Sequence, residues 1–354
     1  MNRKNFCAAP WAGLSLDPDG QAKLCCISQD RVPLQEFGHA KSLSKFVEIR
    51  QAFINDQQHT NCSACWQREE VNTNWESRRS IYQHDDFHHN LNSATDFQLE
   101  HLDLRWSNTC NLNCVYCSST FSSRWAELQG KKQSFKISPT VTDLDLANLK
   151  ILQLAGGEPL LIKENLGILE RLNKVNPNVS IEVTTNLTMI NNNRIYDNLK
   201  QFDNVTWIVS FESTEKRFEY IRNGARWDDF YNNLNKLAMD FMDIQVTMVY
   251  FPLSGLGITN AIQVALEFTS PDNVFLVSQS GGHGFDNLSR SALQYIKQHN
   301  LDQLIQLPDI LQTRLQDQIL SATTQQTETL LPLYDKFDQL INQNHRLLFS
   351  ELYE

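Results

Sequence analysis

Leu99-Glu-His-Leu-Asp-Leu-Arg-Trp106-Ser-Asn-Thr-Cys110-Asn-Leu-Asn-Cys114-Val-Tyr-Cys117 joins an apolar run to three closely spaced cysteines. The run predicts a β-strand, and the cysteines follow it on a loop. Three thiolates on one short loop can ligate three irons of a four-iron cluster, which leaves the fourth iron open to another ligand. A zinc site is the alternative, although its cysteines usually come as paired Cys-x-x-Cys units that close a four-ligand tetrahedron.

From this strand onward, apolar runs alternate with segments of helical periodicity. Six runs predict strands: Leu99–Trp106, Leu149–Leu154, Val179–Thr185, Val205–Phe211, Ile244–Tyr250 and Val274–Ser278. Repeated alternation favours parallel strands joined by crossover helices, because a tight hairpin cannot connect a parallel pair. The sequence therefore predicts an α/β fold built on a partial (β/α)6 TIM-like barrel.

Two further segments flank the predicted barrel. Residues 1–95 contain a Pro-Asp-Gly turn at Pro18–Gly20, one amphipathic helix candidate around Leu43–Ile54 and much polar loop. Because so few apolar residues would fold poorly alone, we expect a bound metal cluster to cross-link this module. Residues 290–354 are rich in Leu and Gln with helical periodicity and predict a helical extension without a catalytic cluster. The predicted domains are 1–95, 96–289 and 290–354.

The composition narrows the function classes. The 354 residues are 41% hydrophobic and 20% charged, which is typical of a globular protein. A net charge of −10 without a basic run disfavours nucleic acid as a partner. No stretch approaches the roughly 20 apolar residues of a membrane span, and the first residues lack the apolar core of a signal peptide. We expect a cytoplasmic protein that binds neither nucleic acid nor membrane.

All eight cysteines lie within the first 117 residues. Clustered cysteines in a reducing compartment indicate metal binding or redox chemistry rather than disulfides. Three belong to the loop quoted above, and five lie upstream: Cys7, Cys25, Cys26, Cys62 and Cys65. The distribution predicts two separate metal sites.

The Cys-x3-Cys-x2-Cys spacing of Cys110, Cys114 and Cys117 after the first strand resembles the signature of the radical S-adenosylmethionine (SAM) superfamily. The resemblance implies a [4Fe-4S] cluster whose open iron binds the amino and carboxylate groups of SAM. It also implies cleavage of SAM by one electron into methionine and a 5′-deoxyadenosyl radical that abstracts a substrate hydrogen. An electron donor such as flavodoxin or ferredoxin would serve as a partner.

Other motifs extend the resemblance along the predicted barrel. Gly156-Gly157-Glu158 at the end of the second strand resembles the family's Gly-Gly-Glu motif, although by itself the sequence is only a turn. Glycines let the backbone approach a ligand, and the Glu158 carboxylate would accept hydrogen bonds from the methionyl ammonium. Tyr116 matches a position that, in this family, is often aromatic and lies by the adenine of SAM. The alternative is that Tyr116 is an ordinary aromatic residue of the loop.

Polar residues near later strand ends complete the candidate site. Ser210 and Glu212 match the family's ribose-binding strand. Arg222, in Tyr220-Ile-Arg-Asn-Gly224, matches an arginine that pairs with the SAM carboxylate, or else forms a surface ion pair. Thr184, Thr185 and Asn186 end the third strand, where they should face the ligand end of the barrel and either bind SAM or cap the strand. His283, in Gly281-Gly-His-Gly284, is a candidate substrate contact or a passenger in a glycine-rich loop.

The N-terminal cysteines resemble the pattern of SPASM and twitch auxiliary-cluster domains, which usually follow the barrel rather than precede it. The resemblance implies a second [4Fe-4S] cluster on Cys7, Cys25, Cys62 and Cys65. Cys26 is expected to be spare, because successive residues on an extended strand point to opposite faces. A Pro-Asp-Gly hairpin would bring Cys7 and Cys25 together across two strands. A zinc ribbon remains the alternative.

These patterns predict a radical SAM oxidoreductase or peptide-modifying enzyme with two [4Fe-4S] clusters. Relatives with auxiliary domains often modify ribosomally made peptides, so a peptide is the first substrate expected. The alternative substrate is a small molecule such as an aminosugar, which the enzyme would dehydrogenate. An alternative of another class is a non-enzymatic zinc or iron–sulfur scaffold or redox sensor.

Overall fold

The computed structural model describes residues 5–34, 43–71, 79, 82, 92–131, 144–278, 283–326, 329 and 331–353. The chain divides into two compact units. The first comprises Met1–Thr109, Ser134–Val183 and Asp197–Val205, and the second comprises Cys110–Gln133, Thr184–Tyr196 and Thr206–Glu354.

Nine strands form the sheet of the described chain, and six of them fall in the first unit. These are β1 (Gly13–Leu16), β2 (Gln21–Lys23), β3 (Val32–Pro33), β4 (His101–Leu104), β5 (Ile151–Leu154) and β6 (Ser180–Thr185), whose last two residues belong to the second unit. Their order is β3-β2-β1-β4-β5-β6. Strands β1 to β3 pair antiparallel, whereas β1, β4, β5 and β6 run parallel. All four residues of β4 are buried, as expected for a parallel strand covered on both faces.

The second unit holds β7 (Val205–Ser210), β8 (Asp243–Tyr250) and β9 (Val274–Ser278), which pair in that order and are parallel. Buried and half-buried residues alternate along β7, because successive side chains point to opposite faces. The six predicted strands correspond to β4 through β9, each within two residues of its predicted ends. From β4 onward, strand order follows chain order in each unit, as in an incomplete barrel. The predicted α/β class is confirmed.

Helices connect and cover these strands. In chain order they are α1 (Ala9–Ala12), α2 (Ser44–Ile54), α3 (Ser63–Val71), α4 (Ser123–Leu128), α5 (Glu164–Val175), α6 (Arg194–Leu199), α7 (Glu215–Ile221), α8 (Trp227–Asp240), α9 (Ile258–Ala265), α10 (Arg290–Leu304), α11 (Asp309–Ser321), α12 (Pro332–Ile341) and α13 (His345–Leu348). Helix α2 confirms the N-terminal amphipathic helix, with Phe46, Ile49 and Phe53 fully buried. None of the helices in the described ranges combines the length and apolarity that a bilayer crossing requires.

The compact units differ from the predicted boundaries after residues 95 and 289. Strand β1 pairs with β4 in the register Gly13↔His101, so the N-terminal strands pair with the barrel strands of the first unit. The predicted C-terminal helices are present, and they belong to the same unit as β7 to β9. The domain boundaries after residues 95 and 289 stay predictions.

Candidate functional site

The three-cysteine loop begins six residues after β4 and is held in place by hydrogen bonds on several sides. The Cys110 amide donates to Ser123 Oγ at 3.1 Å. Further along, the Asn113 amide donates to the Asn223 carbonyl at 3.0 Å, and the Val115 amide to the Ile221 carbonyl at 2.8 Å. The loop is thus paired with the Tyr220–Gly224 segment, so the protein itself fixes where its thiols lie.

The environment of the loop thiols suits metal ligation. Burial is the main cause that raises the pKa of Cys114, with Cys117 and Cys110 raising it further and Arg222 lowering it. Burial also raises the pKa of Cys117. Such thiols stay protonated at neutral pH unless a bound cation stabilises the thiolates. Three thiolate donors on one loop fit an iron–sulfur cluster.

The spacing of the sulfurs bears on the zinc alternative. Sulfurs around one tetrahedral zinc, with bonds of about 2.3 Å, lie about 3.8 Å apart. Among the described residues, the one set of three or more potential ligand atoms within 4.8 Å of one another is Asp335, Asp338 and His345. Neither cysteine set is that compact. Wider spacing is expected where each thiolate binds a different iron of a cluster.

The Gly-Gly-Glu turn packs against the residues that precede the cysteine loop. The Gly157 amide donates to the Ser107 carbonyl at 3.2 Å, and the Glu158 amide to the Thr109 carbonyl at 2.7 Å. A Cβ at Gly157 would lie 2.2 Å from the Thr109 oxygen, and Gly156 has a φ of +106°. Both positions therefore require glycine.

Glu158 is fully buried, and its Oε1 accepts a hydrogen bond from the Leu160 amide at 3.2 Å. The side chain thereby caps the 3₁₀ turn Pro159–Leu161. Sequence reasoning did not foresee this local role. The contact between Glu158 and the SAM ammonium stays a prediction.

Tyr116, Glu212 and Arg222 form a buried polar trio in the second unit. Arg222 binds Glu212 with two nitrogen–oxygen distances of 2.7 and 3.2 Å. The Arg222 guanidinium also donates to the Tyr116 hydroxyl at 2.5 Å, and that hydroxyl lies 3.2 Å from Glu212 Oε2. Burial alone would lower the pKa of Arg222, but Glu212 and Tyr116 together raise it above its usual value.

The trio settles two of the alternatives for these residues. Arg222 is only 4% exposed, so its interpretation as a surface ion-pair residue is wrong. Tyr116 is more than an ordinary loop aromatic, because its hydroxyl joins the buried ion pair while its ring packs edge-on against Phe251. Ser210 ends β7 two residues before Glu212 and is half-buried.

The polar residues at the end of β6 have different surroundings, and their binding of SAM stays a prediction. The Asn186 side-chain amide donates to Asn111 Oδ1 at 3.1 Å and lies 3.9 Å from Cys110 Sγ, so it faces the cysteine loop. Thr185 Oγ1 accepts from the Leu187 amide at 2.9 Å and caps the strand. Thr184 is half-buried.

Residues 104–259, which include this cysteine loop and this trio, match the family model of the radical SAM superfamily. This segment is similar to radical SAM domains. A radical SAM domain implies one [4Fe-4S] cluster and SAM as its cofactors.

Several known proteins are similar to the chain. It is 30% identical over 164 residues to the radical SAM cyclopropyl synthase TigE of Paramaledivibacter caminithermalis, which covers 41% of this chain and 33% of TigE. It is 24% identical over 154 residues to GTP 3′,8-cyclase of Clostridium botulinum, covering 43% of this chain and 48% of the cyclase. The chain thus spans about a third to a half of the length of the curated relatives it matches. A structure of Streptococcus suis SuiB bound to precursor peptide SuiA is similar over 78% of this chain and 65% of SuiB, with 14% identity and a TM-score of 0.44.

Outside the radical SAM domain, four N-terminal cysteines line one cavity in the first unit: Cys7, Cys25, Cys62 and Cys65. Burial raises the pKa of Cys7 and Cys62, and the neighbouring cysteines raise both further. Arg79 also lines the cavity and partly offsets the rise at Cys62. The predicted auxiliary ligands therefore come together around one space.

The backbone reaches this arrangement by a different route from the one predicted. The turn at Pro18–Gly20 joins β1 to β2, with Gly20 at a φ of +81°, so the hairpin is present. Cys7, however, precedes α1 instead of lying on β1. Because β2 ends at Lys23, Cys25 and Cys26 lie in a bend, and the argument from alternating faces of a strand does not apply. Cys26 is not among the described residues that line the cavity.

His283 is half-buried, and its ring stacks on Tyr334 of α12 with centroids 5.4 Å apart. Burial lowers the pKa of His283. Gly281 and Gly282 lie outside the described residues. Sequence reasoning assigned no role to α12, although Tyr334, Phe337 and Asp338 have the i, i+3, i+4 spacing of one helix face and could have indicated a buried surface.

Proposed function

We propose that this protein is an enzyme that cleaves SAM reductively and uses the resulting radical to abstract hydrogen from an organic substrate. The observation that carries the proposal is the protein-fixed three-cysteine loop beside the buried Tyr116–Glu212–Arg222 trio. When bound, the [4Fe-4S] cluster and SAM supply the electron transfer and the 5′-deoxyadenosyl radical.

The protein's own residues would bind and orient these cofactors. Cys110, Cys114 and Cys117 would hold the catalytic cluster, and the Asn186 amide near Cys110 Sγ would stabilise that thiolate. Gly156 and Gly157 would allow close approach of SAM, and Glu158 would accept from its ammonium group. These groups would also exclude water from the reacting centre.

Tyr116, Ser210, Glu212 and Arg222 would line the remainder of the SAM site. The Tyr116 ring would lie against the adenine. Ser210 and Glu212 would present polar side chains to the ribose of SAM. Arg222 would present its guanidinium to the SAM carboxylate while Glu212 holds it in place.

Cys7, Cys25, Cys62 and Cys65 would hold a second [4Fe-4S] cluster in a twitch/SPASM-like module. Their shared cavity supports this proposal. Four protein ligands would leave no open iron, so electron transfer is the proposed role of this cluster.

A ribosomally made peptide is the first proposed substrate, by analogy with enzymes that carry such auxiliary modules. Similarity to GTP 3′,8-cyclase favours a small molecule as the second candidate. A non-enzymatic zinc or iron–sulfur scaffold or redox sensor is the candidate of another class. Flavodoxin or ferredoxin is the proposed electron donor, and the cytoplasm the proposed location.

Anaerobic reconstitution tests the proposed chemistry. Wild-type protein is expected to bind two [4Fe-4S] clusters and, with dithionite, to convert SAM to 5′-deoxyadenosine. Replacing Cys110, Cys114 and Cys117 with Ala should abolish conversion and leave one cluster. Complete loss of iron from a folded triple variant would contradict two independent sites, and zinc occupancy without SAM binding would support the scaffold.

Two adjacent cysteines provide a matched test of the auxiliary site. Cys25→Ala should lose or destabilise the second cluster, whereas Cys26→Ala should keep both, because only Cys25 lines the cavity among the described residues. Iron counting and electron paramagnetic resonance (EPR) would measure both variants. The reverse pattern would show that the ligand register is wrong by one residue.

A further inference from the structure

We propose that helix α12, through Tyr334, Phe337 and Asp338, positions the three elements that form the SAM site: Tyr116, the Cys114 loop and Arg222. The inference rests on the proposed function, because it assigns the SAM site to those elements. Helix α12 lies outside the residues that match the radical SAM model, so this support is a feature that the chain adds to its domain.

The first contact path leads from Tyr334 to Tyr116. Tyr334 is fully buried, and its ring meets Phe251 nearly edge-on, with centroids 6.5 Å apart. Phe251 in turn packs edge-on against Tyr116 at 5.4 Å. Such aromatic pairs have preferred geometries, so moving Tyr334 would disturb the ring stack beside the cysteine loop.

The second path leads from Phe337 to the backbone of the cysteine loop. The Phe337 ring lies 5.2 Å from the ring of Trp125. Trp125 Nε1 donates to the Cys114 carbonyl at 2.8 Å. Helix α12 therefore supports the residue that orients the peptide group of Cys114.

The third path leads from Asp338 to Arg222. The Tyr220 hydroxyl donates to Asp338 Oδ1 at 2.7 Å, and the Tyr220 ring packs edge-on against Phe337 at 5.6 Å. Arg222 follows Tyr220 by two residues and ends α7 with a 2.7 Å hydrogen bond from its amide to the Phe218 carbonyl. A shift of Tyr220 would therefore move the backbone of Arg222, from which the guanidinium side chain extends.

Helix α12 is itself held by the chain that follows it. Asp338 Oδ2 accepts from the backbone amide of His345 at 3.0 Å and lies 2.7 Å from its Nδ1, and His345 is fully buried. Arg217 on α7 donates to the Leu348 carbonyl at 3.1 Å and pairs with Glu351. With Tyr220 on one oxygen and His345 on the other, the contacts of Asp338 favour hydrogen bonding over metal binding, although Asp335, Asp338 and His345 are close together.

The same helix offers a matched control. Asp335 lies one turn before Asp338 and pairs with Arg346 at 3.0 Å, but both side chains are more than 40% exposed. Asp335→Asn and Asp338→Asn therefore make the same chemical change on one helix, and only the second weakens a contact with α7, because the charge of the acceptor for Tyr220 is lost. Tyr220→Phe removes the other partner of that contact by deleting a single hydroxyl.

The test uses the reconstituted full-length protein with SAM as the probe. Calorimetry measures the Kd of SAM, and EPR of the reduced protein measures the change in the cluster signal on adding SAM. Asp338→Asn and Tyr220→Phe are expected to raise the Kd by about threefold to tenfold and to alter the SAM-bound signal. Asp335→Asn should match wild type in both measurements.

The outcomes separate the inference from the function on which it rests. If wild type binds SAM and both variants match it in Kd and EPR signal while only their melting temperatures fall, α12 packs without positioning the site. If Asp338→Asn does not fold, Tyr220→Phe decides by the same measurements. If wild-type EPR does not respond to SAM, the proposed function fails first and the inference falls with it.

Discussion

The buried ion pair between Arg222 and Glu212 gives the sharpest test of the site's energetics. Arg222→Met keeps a long apolar side chain but removes the only charge shown to pair with Glu212 in the described contacts. The two side chains are 5% and 0% exposed, so water cannot replace the missing guanidinium. Glu212 would then lose both hydrogen bonds from the Arg222 guanidinium. It would keep the hydrogen bond from the Tyr116 hydroxyl.

The expected loss of folding stability follows from this burial. Breaking a buried pair by removing one partner destabilises a protein by about 3–5 kcal/mol, because an uncompensated charge remains. Arg346→Met is the control, since Arg346 and Asp335 have a similar nitrogen–oxygen distance of 3.0 Å but are 47% and 43% exposed. An exposed pair contributes about 0–1 kcal/mol. The two substitutions should therefore differ by at least about 2 kcal/mol.

Urea unfolding, followed by tryptophan fluorescence, measures the difference from the shift in midpoint at an unchanged slope. The double variant Arg222→Met with Glu212→Gln should recover most of the loss, because it removes the buried charge as well. Equal midpoint shifts for Arg222→Met and Arg346→Met would refute the reasoning. A double variant no more stable than Arg222→Met would refute it too.

Three further predictions concern the rest of the site. Glu158→Gln keeps an acceptor for the Leu160 amide but loses the charge, so SAM binding should weaken by about 1.5–3 kcal/mol with the iron content unchanged; equal calorimetric affinities would remove Glu158 from the SAM site. Gly157→Ala would place a Cβ 2.2 Å from the Thr109 oxygen, so the backbone must shift and reconstituted iron should fall; full iron loading would contradict this. Burial lowers the pKa of His283 below 6.5, so the unfolded chain takes up the proton first and stability should fall as the pH drops below about 6.5. His283→Asn should flatten that fall in urea midpoints measured from pH 7.5 to 5, and an unchanged slope would exclude His283 as its source.

The sequence alone predicted the features that depend on local pattern. Strands β4 to β9 lie within two residues of their predicted ends. Short runs of apolar residues indicate buried strands, so the sequence itself shows where each strand begins and ends. The three-cysteine loop could also be predicted, because the spacing of ligands on one loop is set by the sequence alone. The same holds for the hairpin at Pro18–Gly20, where turn residues specify the reversal.

Some predictions placed residues together by a geometry that differs from the one the structure has. Cys25 lines the auxiliary cavity and Cys26 does not, yet both lie in a bend after β2, where alternation along a strand gives no guidance. Arg222 and Glu212 were both selected as ligand contacts. Their pairing with each other was not foreseen, because resemblance assigns each residue a role separately and does not show which side chains share a buried space.

Only the tertiary structure decided how distant segments combine. It joined β1 to β4, which placed the N-terminal strands in the barrel sheet, and it brought Asp338 to Tyr220 across 118 residues of sequence. Helical periodicity predicted a C-terminal helical extension but could not show what the buried face of α12 covers. The physical reason is that periodicity and spacing encode which face of an element is buried, whereas the partner across that face depends on the packing of the whole unit.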